Sequence, residues 1–341
     1  MSTLVSIIAV GLLIALHELG HMVIARRAGM RVIRFSVGFF RSLVSWTSKK
    51  SGVTYQIGAV PLGGFVEIKG MNPFESGAYD DPDSYQNMSI LKRAAVLVAG
   101  PFANLAIAWL VLFGLYVAGS PDYVNKSMVG VVVPGKPASE AGLETGDQIL
   151  EIGGKHVTTW DELVERIRAH AGEQTPLLVK RGDKKFMTTV TPENQSGVGK
   201  IGIGQPQEMV SLPAHIAAMA AGVKCYQVVA NTLTSIASAF GDKKTNLETV
   251  GPVGIIKMAA TTLSTGIREF LALVSYLSLM LFMFNMLPFP ALDGGRGIFL
   301  IMEAVSRKRV NPKAEVLVNS IGFVFLIGIL ILMTIKDVAT I

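Results

Sequence analysis

The sequence predicts a polytopic α-helical membrane protein with four transmembrane helices, an inserted small α/β domain and a membrane-associated β-hairpin loop. Three observations carry this expectation. Of the 341 residues 50% are hydrophobic and only 16% are charged, whereas about 25% are charged in a typical soluble domain. Four apolar runs, Leu4 to Ala25, Ala94 to Ala118, Phe270 to Leu287 and Val316 to Ile335, approach or exceed the roughly 20 helical residues needed to cross a bilayer. Between the second and third runs lies a stretch of ordinary soluble composition, from about Lys126 to Gln205.

Taken in order, the first run carries no basic residue ahead of it, and a glutamate and two histidines precede its end instead of a small-residue cleavage site, so it reads as a retained span and not a signal peptide. In the following loop, Phe35 to Trp46 and Thr54 to Ile68 alternate apolar and polar residues around the turn-rich Ser48 to Gly52. That pattern predicts a β-hairpin and a second strand pair. Gly63 and Gly64 lie in its second half, where absent side chains let another backbone approach closely. After the second span, short apolar runs (Val129 to Val133, Gln148 to Ile152, Leu177 to Lys180, Met187 to Val190) alternate with turn signals and one amphipathic helix, Trp160 to Ala171. The expected organisation is therefore an N-terminal membrane part (1–125), an α/β domain (126–205), a surface amphipathic helix and linker (206–265) and a C-terminal membrane part (266–341).

Charge sets the expected topology. The net charge is +6, and its basic residues cluster beside apolar runs, which indicates a lipid bilayer as partner and argues against nucleic acid. Arg26, Arg27, Arg31 and Arg34 follow span one, Lys92 and Arg93 precede span two, and Arg307, Lys308, Arg309 and Lys313 separate spans three and four. All three groups are expected on the cytoplasmic side, with both termini and the α/β domain outside. The apolar but polar-punctuated segment Ser211 to Phe240 fits this scheme as a helix on the outer surface; the alternative, that it crosses the bilayer, would move the basic cluster at Arg307 to Lys313 outside. The single cysteine, Cys225, excludes an intrachain disulfide.

The chemistry concentrates in the first span. His17-Glu18-Leu19-Gly20-His21 is an H-E-x-x-H motif, whose histidines, four apart, share one helical face and are able to bind one zinc ion, with Glu18 as general base. A proton relay or a buried polar contact between helices is the blander alternative. An ionisable residue inside a spanning helix costs about 2.5 kcal/mol or more, so three within five positions demand a use. Catalytic zinc usually takes three protein ligands and leaves a fourth position open. The candidates for the third are Glu67, His215, Asp293 and Glu303, and depth favours Asp293, just past the cytoplasmic end of span three. Pro288 and Pro290 must break the helix ahead of Asp293, and backbone groups freed at membrane depth imply a cavity.

These segments together resemble the site-2 protease family of intramembrane zinc metalloproteases. The resemblance rests on H-E-L-G-H at 17–21, on N-x-x-P-x-P-x-x-D-G-G from Asn285, and on Pro134 to Gly154, which is similar to the start of a PDZ domain of bacterial envelope proteases. "GAVPLGGFVEIKG" (58–70), "AGPFANL" (99–105) and "GPVGI" (251–255) are also similar to family segments. Within the family the chain most resembles bacterial regulator of sigma-E proteases, with room for one PDZ domain where the best-known members have two. The resemblance implies Zn2+ on His17, His21 and Asp293, with Glu18 activating water. It implies substrate contacts at Asn285, Pro288 and Pro290, and at Gly63, Gly64 and Phe65 of a membrane-reentrant β element. It further implies a bacterial cytoplasmic (inner) membrane location and cleavage of transmembrane segments in single-pass membrane proteins, such as pre-trimmed anti-sigma factors and signal-peptide remnants. The alternative reading is a proton- or metal-coupled membrane transporter using the same buried ionisable residues. Asn104, in mid-span, is expected simply to bond a neighbouring helix.

Overall fold

The computed structural model describes residues 2–195, 197–241 and 251–339. It divides into two units, Met1–Tyr116 with Pro213–Ile341, and Val117–Leu212.

Helix α1 (Ser2–Arg27) opens the first unit. Its last turn carries Arg26 and Arg27, whose charge suits the negative end of the helix dipole. Gly29 then ends it at φ 86°, a left-handed conformation that favours glycine, while the Met30 N–H reaches back to the Ala25 carbonyl at 2.9 Å.

Strands β1 (Val32–Thr47) and β2 (Thr54–Ile68) follow. They form more than a simple hairpin. Phe35 pairs with both Val66 and Tyr55, so the start of β1 is flanked by the start of β2 on one side and by the end of β2 on the other. The register breaks between Val37 and Ser42, where Gly38 (φ 89°) and Phe40 (φ 67°) turn the chain. Both long strands are thereby folded back, and the Gly64 to Ile68 segment becomes an outer edge. Ile68 and Val32 bury this sheet against Met22 and Ala25 of α1.

Helix α2 (Ile90–Ala118) contains Pro101. It packs tightly on α1, because a Cβ at Gly20 would stand 2.5 Å from the Ala99 carbonyl oxygen.

The second unit begins with β3 (Ser120–Tyr123), β4 (Val131–Val132) and α3 (Pro137–Glu140). There follow β5 (Gln148–Ile152), β6 (Lys155–His156), α4 (Trp160–Ala169), β7 (Thr175–Arg181) and β8 (Lys184–Val190). It closes with β9 (Glu193–Gln195), β10 (Val198–Lys200), β11 (Ile203–Gly204) and β12 (Gln207–Val210). Strands β6, β5, β7 and β8 lie in that order in an antiparallel sheet. Leu163 and Ile167 of α4 pack on Ile149, Ile152, Leu177 and Val179 from that sheet. A capping box explains where α4 starts: Thr159 accepts from the Glu162 N–H, and the Glu162 carboxylate accepts from the Thr159 N–H. The unit reaches beyond the expected 126–205, because β3 pairs with β12 and draws residues 120–123 and 207–210 into it.

The first unit resumes with α5 (Ala214–Gly241), α6 (Pro252–Thr265), α7 (Ile267–Met286), α8 (Asp293–Ser306) and α9 (Pro312–Ala339). The expectation of a surface helix and linker over 206–265 needs correction. Ala221 and Cys225 of α5 are buried against Ala108 and Leu112 of α2 and Leu279 of α7, and the Trp109 indole N–H donates to the Ala218 carbonyl at 3.1 Å. Of the part expected as linker, residues 242–250 lie outside the described residues and Pro252–Thr265 forms α6, which packs on α1. Its start is fixed by Asp337 of α9, which accepts from the Gly251 N–H at 3.0 Å and the Gly254 N–H at 2.7 Å. A carboxylate at a helix N-terminus satisfies donors that lack intrahelical partners.

Among the described residues, α1, α2, α7 and α9 are long and apolar enough to cross a membrane. The three basic groups converge at one end of this unit. Lys92 donates to the Ala28 carbonyl at 2.9 Å, Arg93 forms a two-pronged ion pair with Glu303 at 2.9 and 2.5 Å, and Arg309 donates to the Gln86 carbonyl at 2.8 Å.

Candidate metal centre

Two buried histidines and a half-buried aspartate from two distant parts of the sequence meet between α1 and the start of α8. His17 Nε2 lies 3.1 Å from Asp293 Oδ2, His21 Nε2 lies 3.2 Å from the same oxygen, and the two Nε2 atoms are 3.2 Å apart. These three atoms make a nearly equilateral triangle. Four ligands at about 2.0 Å from a tetrahedral zinc ion would stand about 3.3 Å from one another, so the donor set and its spacing suit zinc with one position left open. Among the described residues it is the one group of three metal-binding side chains so placed.

The histidines reach this point because positions 17 and 21 share the α1 face turned to α2. The His21 ring is fixed by a 2.7 Å contact from Nδ1 to the Val96 carbonyl, which leaves Nε2 for the triangle. His17 Nδ1 contacts the Asn104 amide at 3.1 Å. Gly100 lies between these anchors. A Cβ there would come 2.2 Å from His21 Nε2 and 2.8 Å from His17 Nε2, so the α2 backbone itself forms the wall of the site.

Asp293 is set by a turn that α9 supports. The side-chain oxygen of Asn319 accepts from the Ala291 N–H at 3.1 Å, and Pro290 fits the notch at Gly322, where a Cβ would strike the proline ring at 2.4 Å. Gly294 and Gly295 are required by the same turn. A side chain on either would meet the Leu287 or the Phe289 carbonyl oxygen, at 2.3 and 2.0 Å.

Glu18, next to His17, points to the sheet. Its Oε2 accepts from the Val66 N–H at 3.1 Å, and the space over Gly64 is 3.6 Å from its Cγ. Val66 therefore turns its N–H away from β1, along the outer edge of β2. That edge, with Phe65, Val66 and Ile68, lines a cleft of about 770 Å³ whose far side includes Ala291, Asn319 and Phe323. A second cleft of about 360 Å³ touches Asp293 itself and is walled by Ala94, Leu97, Pro288, Gly297 and Ile301.

The structure divides the remaining expected residues. Pro288 lines the cleft at Asp293, and Phe65 lines the one beside the sheet edge. Pro290 packs on α9 instead. The Asn285 amide N–H2 donates to the Leu281 carbonyl of its own helix at 3.0 Å. The close approach expected at Gly63 and Gly64 is to the chain's own β1, since a Cβ at Gly63 would run into the Phe39 ring and one at Gly64 would come 2.7 Å from the Ser36 carbonyl. Of the rival third ligands, Glu303 is engaged by Arg93 and Glu67 pairs with Arg34 at 3.3 Å. Sequence reasoning missed Gly100 and gave Asn104 only a generic helix contact. The one available signal was an amide in mid-span, four residues past the glycine of "AGPFANL".

A helical membrane unit that brings two buried histidines, a half-buried carboxylate and an adjacent glutamate to one point defines the class: a membrane-embedded zinc metalloprotease. The chain belongs to Peptidase family M50, whose model matches residues 5–329. A Clostridium perfringens chain carrying a provisional zinc-metalloprotease name is 32% identical over 98% of this chain and 97% of its own length. "Zinc metalloprotease RasP" of Geobacillus kaustophilus is 29% identical over 97% of this chain and 96% of its own. "Regulator of sigma-W protease RasP" of Bacillus subtilis is 27% identical, covering 97% of both. Among solved structures, a PDZ domain of an SdrC-like protein from Listeria innocua matches 24% of this chain and 93% of its own at 25% identity, with a TM-score of 0.22. Family membership selects the protease reading over the transporter.

Proposed function

We propose that this protease cuts peptide bonds within the transmembrane segments of single-pass membrane proteins, using zinc held by His17, His21 and Asp293. The observation that carries the proposal is the triangle of possible ligand atoms from two buried histidines of a membrane-length helix and Asp293, with Glu18 beside it. Zinc held by His17, His21 and Asp293 would supply Lewis acidity for the scissile carbonyl and for the attacking water. Glu18 takes the proton of that water and passes it to the leaving amine. Its bond to the Val66 N–H aims the carboxylate between the ligands and the sheet edge.

A protease needs its substrate extended, and the outer edge of β2, which faces away from β1, is placed to take an added strand, with Glu18 on its Val66 N–H. Substrate unwound from a helix would lie along Gly64 to Ile68, with Phe65 and Pro288 against its side chains. Gly63 shapes the turn behind that edge, and Asn285 and Pro290 hold the helix break that opens the site. Pre-trimmed anti-sigma factors are the substrate class we favour, because a relative aligned over 97% of both chains is named for regulating a sigma factor. Purified protein in detergent should cleave a model single-pass substrate within its apolar segment. Chelation should stop cleavage and added zinc restore it. Cutting confined to the soluble flanks would reject the intramembrane reading.

We further place the converged basic end of the membrane unit in the cytoplasm, with the α/β domain and both termini outside a bacterial inner membrane. With Cys225 replaced by alanine, a cysteine at Lys126 should react with an impermeant thiol reagent in intact spheroplasts. Cysteines at Arg31 and Lys308 should stay unreactive until the cells are opened. Labelling at Lys308 in intact cells would invert the C-terminal half of this topology.

A further inference from the structure

The contact between Asn104 and His17 holds a contradiction when the site carries its metal. Asn104 is fully buried, its amide nitrogen stands 3.1 Å from His17 Nδ1, and its Oδ1 is buried with no hydrogen-bond partner. A neutral imidazole that gives Nε2 to a metal keeps its proton on Nδ1 and is a donor there. Two donors would then face each other while a buried acceptor goes unused, and an unsatisfied buried polar group is costly. Turning the amide by half a turn removes both faults, and which amide atom is oxygen follows from such a network.

The geometry points to Asn104 as a positioning residue for the metal: its Oδ1 accepts from His17 Nδ1–H and so fixes the tautomer and tilt that present Nε2 to zinc. His21 has the equivalent partner in the Val96 carbonyl, so α2 sets both rings, one through backbone and one through this side chain. Outer partners of this kind orient metal-binding histidines and raise their basicity, and their loss typically costs about ten- to a hundredfold in metal affinity. An ordinary interhelical hydrogen bond has no such link to the metal. The inference rests on the zinc site proposed above.

The test measures zinc affinity of the purified full chain by chelator competition, with the zinc-induced rise in Tm and the visible spectrum of the cobalt-loaded protein as further readouts. Asn104→Leu and Asn104→Ala should bind zinc about ten- to a hundredfold more weakly, with a smaller zinc-induced Tm rise and an altered cobalt spectrum. Asn104→Asp keeps an acceptor at the same reach and should restore affinity to within a few-fold of wild type. Wild-type zinc affinity and cobalt spectrum in Asn104→Leu would overturn the inference. So would Asn104→Asp binding as weakly as Asn104→Leu while its zinc-free Tm matches wild type, because the amide would then be needed as a donor. Should the aspartate variant not fold, the leucine and alanine variants decide alone. Failure of the zinc site itself would look different: no zinc in wild type, or undiminished zinc in His17→Ala.

Discussion

Gly100→Ala should strip the protein of zinc and lower cleavage by at least about a hundredfold, although it adds a single methyl group. The added carbon would stand 2.2 Å from His21 Nε2 and 2.8 Å from His17 Nε2, inside contact distance of two proposed ligand atoms. Relief by moving α2 is blocked, since Gly20 of α1 already lies against the Ala99 carbonyl with no room for a side chain. The rings must therefore move, by about 1 Å or more, whereas metal–ligand distances tolerate about 0.2 Å. Misplacement of that size typically costs about a hundredfold in rate. The cost in folding free energy should be only about 1–3 kcal/mol, as for other overpacked sites. Metal analysis and turnover of the purified variant check this together. Normal zinc content in a folded Gly100→Ala protein would mean that α2 does not wall the site as described.

Glu18→Gln separates the metal from the proton transfer. Glutamine has the shape of glutamate, and its side-chain oxygen is able to keep the hydrogen bond from the Val66 N–H that holds Glu18. What it lacks is a carboxylate to accept a proton. General acid–base groups contribute about a hundred- to ten-thousandfold, so cleavage should fall by that order while zinc content and Tm stay near wild type. Undiminished turnover would remove Glu18 from the mechanism. Equal loss of zinc and turnover would make it a structural residue for the metal site.

The contrast between these two positions shows what the sequence made legible. Glu18 sits in a motif whose spacing dictates a shared helical face, so its role can be read without a fold. The four spans follow from apolar runs alone, and Pro288 and Pro290 mark the helix break that brings Asp293 to the histidines. Gly100 is invisible at that level, because α2 is apolar around most of its circumference and no period shows which face meets α1. The same holds for Asn104, whose partner is a histidine 87 positions away. At Gly63 and Gly64 the alternation announced strands and a close approach, but what approaches is β1 of the same chain, the Phe39 ring at Gly63 and the Ser36 carbonyl at Gly64. Only the double pairing of β1 with β2 explains that, and it depends on the turn at Gly38 and Phe40. The α6 segment lacked a run long enough to announce a span, and its start is capped by an aspartate more than eighty positions downstream.

The central claim is that His17, His21 and Asp293 form one metal site, and the zinc content of purified single variants tests it most directly. Wild type should hold about one zinc per chain, and His17→Ala, His21→Ala and Asp293→Ala should each lose most of it, because removing one of three ligands leaves a site that cannot hold the ion firmly. Glu303→Gln and Glu67→Gln should retain it, since those carboxylates are engaged with Arg93 and Arg34. Full zinc occupancy in a folded Asp293→Ala protein would contradict the account.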